Sequence, residues 1–187
     1  MNETFIKPRY DSGGFAGTPT RIKEAFASKK YDAVILFFID AFGWRFYERF
    51  QDSPFIKRME KNGRIEKLTS QFPSTTAAHV TTMHTGLSVG QSGVHEWYYY
   101  EPLVDRVISP LLFSFAGTKS RDTMKEAHVD PVKLYPKSVL YPELKKMGVD
   151  SIYIGLRDYT PSTSSKVVMT GAEIRSFKTL SEAFVSL

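Results

Sequence analysis

The chain has 187 residues, 25 Lys+Arg against 20 Asp+Glu, four His and no Cys, which suits one domain with one sizeable core. With 42% hydrophobic and 24% charged residues it lies far from collagenous, low-complexity and disordered compositions, and its net charge of +5 is scattered rather than gathered into a basic block. The absence of cysteine excludes disulfide frameworks, thiolate zinc sites, iron–sulfur clusters and thiol nucleophiles, so any metal must rest on carboxylate, imidazole or hydroxyl groups.

Thr18-Pro19 predicts a helix start, because Pro suits the first helical turn, and Ile22, Ala25 and Phe26 follow at helical spacing until about Lys29-Lys30. AVILFFI (33–39) is continuous rather than alternating, the pattern of a strand buried on both faces of a parallel sheet, and Asp40 stops it abruptly. Ser53-Pro54 caps a helix bearing Phe55, Ile56 and Met59, closed by Asn62-Gly63. A strand over Ile65 to Gln71 then runs into FPSTTAAHVTTMHTG, with a helix beginning near Ala77. Gly90 to Asp130 carries few periodic signals and reads as loops and short elements. Ser138 to Met147 reads as a helix ended by Gly148, followed by strands at Ser151 to Leu156 and Lys166 to Met169. Such alternation predicts an α/β fold with a mainly parallel sheet and helices on both faces, whose ligands sit beyond the carboxyl ends of the strands. Asp40 and Thr76 fall at two such ends.

An acid directly after seven apolar residues is costly to bury unless it reaches solvent or meets a cation. Ser74, Thr75 and Thr76 in front of a helix are ordinary N-cap residues taken alone. Taken together the groups suggest chemistry: a Thr at a helix N-terminus faces free N–H donors and the positive end of the dipole, a place suited to a phosphate. A metal held by Asp40 would lower the pKa of a bound hydroxyl, letting a normally inert Thr attack phosphorus.

VILFFIDAFGW, with Thr76 of FPSTTAAHVTTMHTGL following 36 residues after its Asp, resembles the type I phosphodiesterase and nucleotide pyrophosphatase branch of the alkaline phosphatase superfamily, over about residues 32 to 95. The resemblance implies an alkaline phosphatase-like core and a hydrolase of phosphodiester or pyrophosphate bonds. It implies two divalent metal ions, usually zinc, with Asp40 as a metal ligand and Thr76 as both metal ligand and nucleophile, forming a phosphoenzyme that water later cleaves. Ungapped alignment of Pro73-Ser74-Thr75-Thr76 with the family's Pro-x-x-Thr favours Thr76, with Thr75 the second choice. The substrate implied is a small phosphorylated molecule such as a nucleotide.

The sequence departs from the family at several points. Thr85-Gly86 is followed by neither the usual Pro nor the usual His, and the phosphate-contacting Asn would fall near Glu96-Trp97, where there is none. No Asp-His pair occurs, so residues 1–187 are expected to be the amino-terminal part of a single, longer catalytic domain. His79 and His84 are five apart, the wrong spacing for a shared helix face, and read as helix-surface or core groups. His95 and Trp97 are the candidate substrate contacts, the aromatic run at Trp97 to Tyr100 being able to stack on a base or sugar or simply to pack. Arg157-Asp158 reads as a surface ion pair. A phosphomonoesterase, phosphomutase or sulfatase of the same superfamily, or a non-catalytic α/β binding protein, are the alternatives. No apolar run approaches the roughly 20 residues that cross a bilayer, and residues 1–17 lack a signal-like stretch, so a cytoplasmic location, no membrane partner and no specific nucleic-acid binding are expected.

Overall fold

The computed structural model describes residues 6–28 and 31–187. A tight turn at Phe15–Gly17 leads into α1 (Thr18–Ala27), which carries Pro19 in its first turn as expected and packs Ile22 and Phe26 onto Met83, Leu140 and Leu144. The end expected at Lys29-Lys30 lies outside the described residues. After an extended stretch come α2 (Trp44–Phe50), which has no fully buried residue, and α3 (Pro54–Asn62), capped by the Ser53 hydroxyl, which accepts from the Ile56 amide.

The centre of the molecule is α4 (Thr76–Thr85). Its N-terminus is capped by Thr75 and its C-terminus by Gly86 at φ 76°, where the left-handed backbone favours glycine. Ala77, Ala78, Thr82 and Thr85 are wholly buried, and small side chains there let the helix sit deep in the core. The buried Gln71 carboxamide donates to Thr82 and accepts from the Val89 amide, joining α4 to the short α5 (Val89–Ser92). Next come β1 (Tyr99–Glu101), β2 (Arg106–Ser109) and β3 (Ser114–Phe115), an antiparallel meander in which Ile108 pairs with both Tyr99 and Phe115. Ile108, Phe113 and Met124 pack with Ala77 and Val94 as the main hydrophobic core. The chain closes with α6 (Leu140–Lys146), β4 (Ile152–Leu156), α7 (Thr163–Val168), β5 (Glu173–Phe177) and α8 (Leu180–Val185), and β4 pairs with β5 in parallel across α7. Among the described residues no helix is long and apolar enough to cross a membrane.

The chain is thus mixed helix and sheet, but the expected mainly parallel sheet is corrected to two small sheets, one antiparallel with three strands and one parallel with two. The AVILFFI segment is extended but joins neither sheet, and its residues from Val34 to Ile39 are 39% to 63% exposed. Its continuous apolar composition suits burial on both faces, yet burial also requires a hydrogen-bonded neighbour on each edge. Instead the segment faces β4 across an apolar cavity of about 390 Å³, lined by Val34, Leu36, Leu144, Ile152 and Ile154. The strand expected over Ile65 to Gln71 is reduced to a single parallel bridge between Gly14 and Thr69. Lys166 to Met169 is not a strand: Ser162 and Ser165 form a reciprocal cap that starts α7, and a short apolar run such as Val167-Val168 fits either periodicity. The strand of this region lies later, at β5.

Candidate active site

The site is built where the N-terminus of α4 meets the end of the extended segment. Thr75 and Thr76 are adjacent but have different surroundings. The Thr75 hydroxyl accepts from the Ala78 amide at 3.3 Å and donates to the His95 carbonyl at 2.8 Å, which commits it to capping. The Thr76 hydroxyl donates to Asp40 Oδ2 at 3.3 Å, and Asp40 Oδ1 accepts from the Ala41 amide at 3.0 Å. Ala41 has φ 59°, a left-handed conformation unfavourable for a residue with a Cβ, at the bend that presents Asp40.

Asp40 and Thr76 line one side of a cavity of about 340 Å³ that also has Trp97, Tyr159, Val80 and Val168 as walls. Trp97 is set by its amide, which donates to the Glu96 carboxylate at 2.6 Å, and its indole meets the Tyr159 ring edge to face at 6.2 Å and 86°. His95 lies next door with its ring stacked on Tyr99 at 4.6 Å and its carbonyl holding Thr75; its imidazole is not a wall of the cavity. The structure therefore brings three of the four sequence candidates, Asp40, Thr76 and Trp97, to one cavity. His95 is placed behind them.

Two of the remaining imidazoles, those of His79 and His84, have structural partners. His79 accepts from the Gln71 amide at Nε2 and bonds the Thr75 carbonyl through Nδ1, a pairing in which Nδ1 is the protonated nitrogen. His84 is buried, bonds the Tyr141 hydroxyl at 2.6 Å, and has its pKa pushed down to about 4 by burial, which disfavours the cation. His128 ends a short helical turn at Thr123–Ala127. Arg157 lies on the surface in an ion pair, but with Glu182 at 3.6 Å rather than with Asp158.

Sequence reasoning missed Tyr159, Thr160, Val168 and Met169 as cavity walls. Tyr159 and Thr160 follow the carboxyl end of β4, so the rule that ligands gather beyond strand ends would have found them. Val168 and Met169 were hidden by the strand assignment.

Asp40 and Thr76 offer two oxygens to a cation. Among the described residues no group of three or more carboxylates and imidazoles converges, and zinc takes four donors, so these residues alone do not close a metal site. A phosphate next to the Asp40 carboxylate would be repelled by it, and among the described residues no Lys or Arg lines the cavity to offset that repulsion.

A family model described as Type I phosphodiesterase / nucleotide pyrophosphatase matches residues 34–152, more than half of the chain. The chain belongs to that family. The match contains Asp40, Thr76, His95 and Trp97, while Tyr159, Val168 and Met169 lie beyond it. No curated protein and no solved structure matches the chain. Type I phosphodiesterases and nucleotide pyrophosphatases are hydrolases of small phosphorylated substrates and are generally metal-dependent.

Proposed function

We propose that this member of the type I phosphodiesterase and nucleotide pyrophosphatase family hydrolyses phosphodiester or pyrophosphate bonds with Thr76 as nucleophile. The observation that carries the reading is the Thr76 hydroxyl donating to Asp40 at the wall of a cavity while its neighbour Thr75 is committed elsewhere. The Thr76 proton passes to Asp40 along this hydrogen bond, or to solvent where Asp40 holds the metal, as the Thr76 oxygen attacks phosphorus. The new O–P bond forms as the bond to the leaving oxygen breaks, and the leaving oxygen takes up a proton from Asp40 or solvent. The Thr76 and Ala77 N–H groups at the start of α4 have no intrahelical acceptor, and with the helix dipole they favour the anionic phosphoryl group beside Thr76. Water then attacks the phosphothreonine, breaking its O–P bond and restoring the hydroxyl. Divalent metal, zinc in the family resemblance, would use Asp40 and Thr76 as two of its ligands, with other donors completing the set, and would shield the phosphate charge.

The test is release of nitrophenolate from bis(4-nitrophenyl) phosphate, with zinc present throughout. Thr76→Ala should lower kcat by about 10³-fold or more. Full turnover in Thr76→Ala together with its loss in Thr75→Ala would transfer the role to Thr75. Rates on an aryl monoester and an aryl sulfate, measured beside the diester, rank the reaction types of the wider superfamily.

A further inference from the structure

The walls of the cavity beside Thr76 show what can enter it. Several carry hydroxyls, but these donate to the protein's own carbonyls: Tyr135 to Pro110 at 2.8 Å, Ser164 to Leu111 at 2.9 Å, Ser165 to Ser162 at 3.0 Å and Thr160 to Leu156 at 3.2 Å. The donor capacity of these four is used; the hydroxyls of Thr81, Tyr153 and Tyr159 have no protein partner among the described residues, and the rest of the wall surface is largely carbon. The rings of Trp97 and Tyr159 and the side chains of Val80 and Val168 supply the rest. Asp40 is the only acidic or basic side chain among the described residues of the lining, and it sits with Thr76, where the phosphorus would be.

A sugar or a second phosphate entering this space would give up hydrogen bonds to water and find few replacements. An aryl ring or a compact alkyl group would give up none, and would gain the burial of its own surface and that of the cavity. The perpendicular Trp97 and Tyr159 rings present an edge and a face to a third ring. At about 340 Å³ the cavity lies at the small end of ligand pockets and has room for an aryl or short alkyl group.

Resting on the reading of Thr76 as nucleophile, we infer that the substrate is a phosphodiester carrying an uncharged, apolar ester group, aryl or short alkyl, which seats between Trp97, Tyr159, Val80 and Val168 while its phosphorus meets Thr76. The site selects the organic substituent by burial and is not built to hold a second phosphate.

The chain has two tryptophans, so Trp44→Phe leaves Trp97 as the only indole. In that background, with zinc present at a fixed concentration, Trp97 fluorescence is titrated with diphenyl phosphate, dimethyl phosphate and inorganic pyrophosphate. Diphenyl phosphate should perturb Trp97 and bind about tenfold or more tightly than dimethyl phosphate, with pyrophosphate causing no comparable change. Tyr159→Ala should narrow that ratio to about threefold or less, its fold checked by circular dichroism. Were this variant not to fold, the wild-type ratio decides alone. Equal affinity for the two diesters, or tighter binding of pyrophosphate, overturns the inference. Its failure is separable from that of the nucleophile: turnover surviving Thr76→Ala removes the role of Thr76 and leaves the binding ratio as measured. A ratio near one alongside Thr76-dependent turnover removes the apolar subsite alone.

Discussion

The helix at Thr76–Thr85, with four Thr and two His among its ten residues, is the most buried part of the molecule, whereas the stretch from Ala33 to Phe50, far richer in apolar side chains, is among the most exposed. The helix has a cap at each end and small residues facing two sheets' worth of side chains, so its backbone groups are satisfied and its surface is covered. Among the described residues the extended stretch has no ladder partner on either edge. Its rings meet a few others, Phe38 on Phe15 at 5.5 Å, Phe37 on Phe184 at 6.1 Å, and Phe42, Phe46 and Phe50 stacked in sequence, without being buried by them. Apolar composition states a need for burial; only the geometry of partners meets it. The candidate site spans this contrast, with its hydroxyl on the firm element and its carboxylate on the loosely held one.

The largest effect that would sharpen the contrast is catalytic. Thr76→Ala should lose about 10³-fold of diester turnover with little change in urea midpoint, because its hydroxyl contacts only Asp40. A large fall in stability instead would show that the Asp40 contact holds the extended stretch to the core.

Next in size is core packing. Phe113, only 1% exposed, should cost about 3–5 kcal/mol when changed to Ala, whereas Phe46→Ala, at 49% exposure, should stay within about 0.5 kcal/mol. Chemical denaturation of both variants gives the comparison directly, and equal losses would mean that the Phe42 to Phe50 stack is covered in solution.

The third effect depends on pH. His84 has a folded pKa near 4 against an ordinary 6.5, so the unfolded chain binds a proton first as the pH falls. Stability from the neutral, buried imidazole is therefore fully present above about pH 6.5, declines as pH drops toward 4 and levels off below that. A His84→Gln variant, less stable at neutral pH, should show a flatter profile over that window. An unchanged slope would assign the acid sensitivity to other groups.

Smallest is the cap. Thr75→Ala should cost about 1 kcal/mol in thermal or urea unfolding, through loss of the bond to the Ala78 amide and release of the His95 carbonyl. Its diester turnover should fall far less than that of Thr76→Ala.

Local signals were legible in the sequence because their physics is local. Ser53-Pro54 capped α3, Thr18-Pro19 opened α1, and Gly86 and Gly148 took left-handed backbone near helix ends. The family pattern likewise placed Asp40 and Thr76 as a pair, and the fold sets their side chains 3.3 Å apart. The antiparallel meander was not legible, since strands of two to four residues between Tyr99 and Phe115 are too short to display a period. Nor was the strand at β5, whose alternate half-exposed residues lack a continuous apolar run.

By itself the amino-acid order determined where α1, α3, α4 and α6 lie, which family the chain belongs to, and which hydroxyl and carboxylate deserve attention. Only the tertiary structure decided that Thr75 is a cap facing the His95 carbonyl, that Trp97 and Tyr159 close one cavity, and that AVILFFI stands outside both sheets. Caps and turns depend on neighbours a few residues away along the chain. Hydroxyl orientation, ring packing and strand pairing depend on groups brought from 20 to 60 residues away, whose approach no local pattern records.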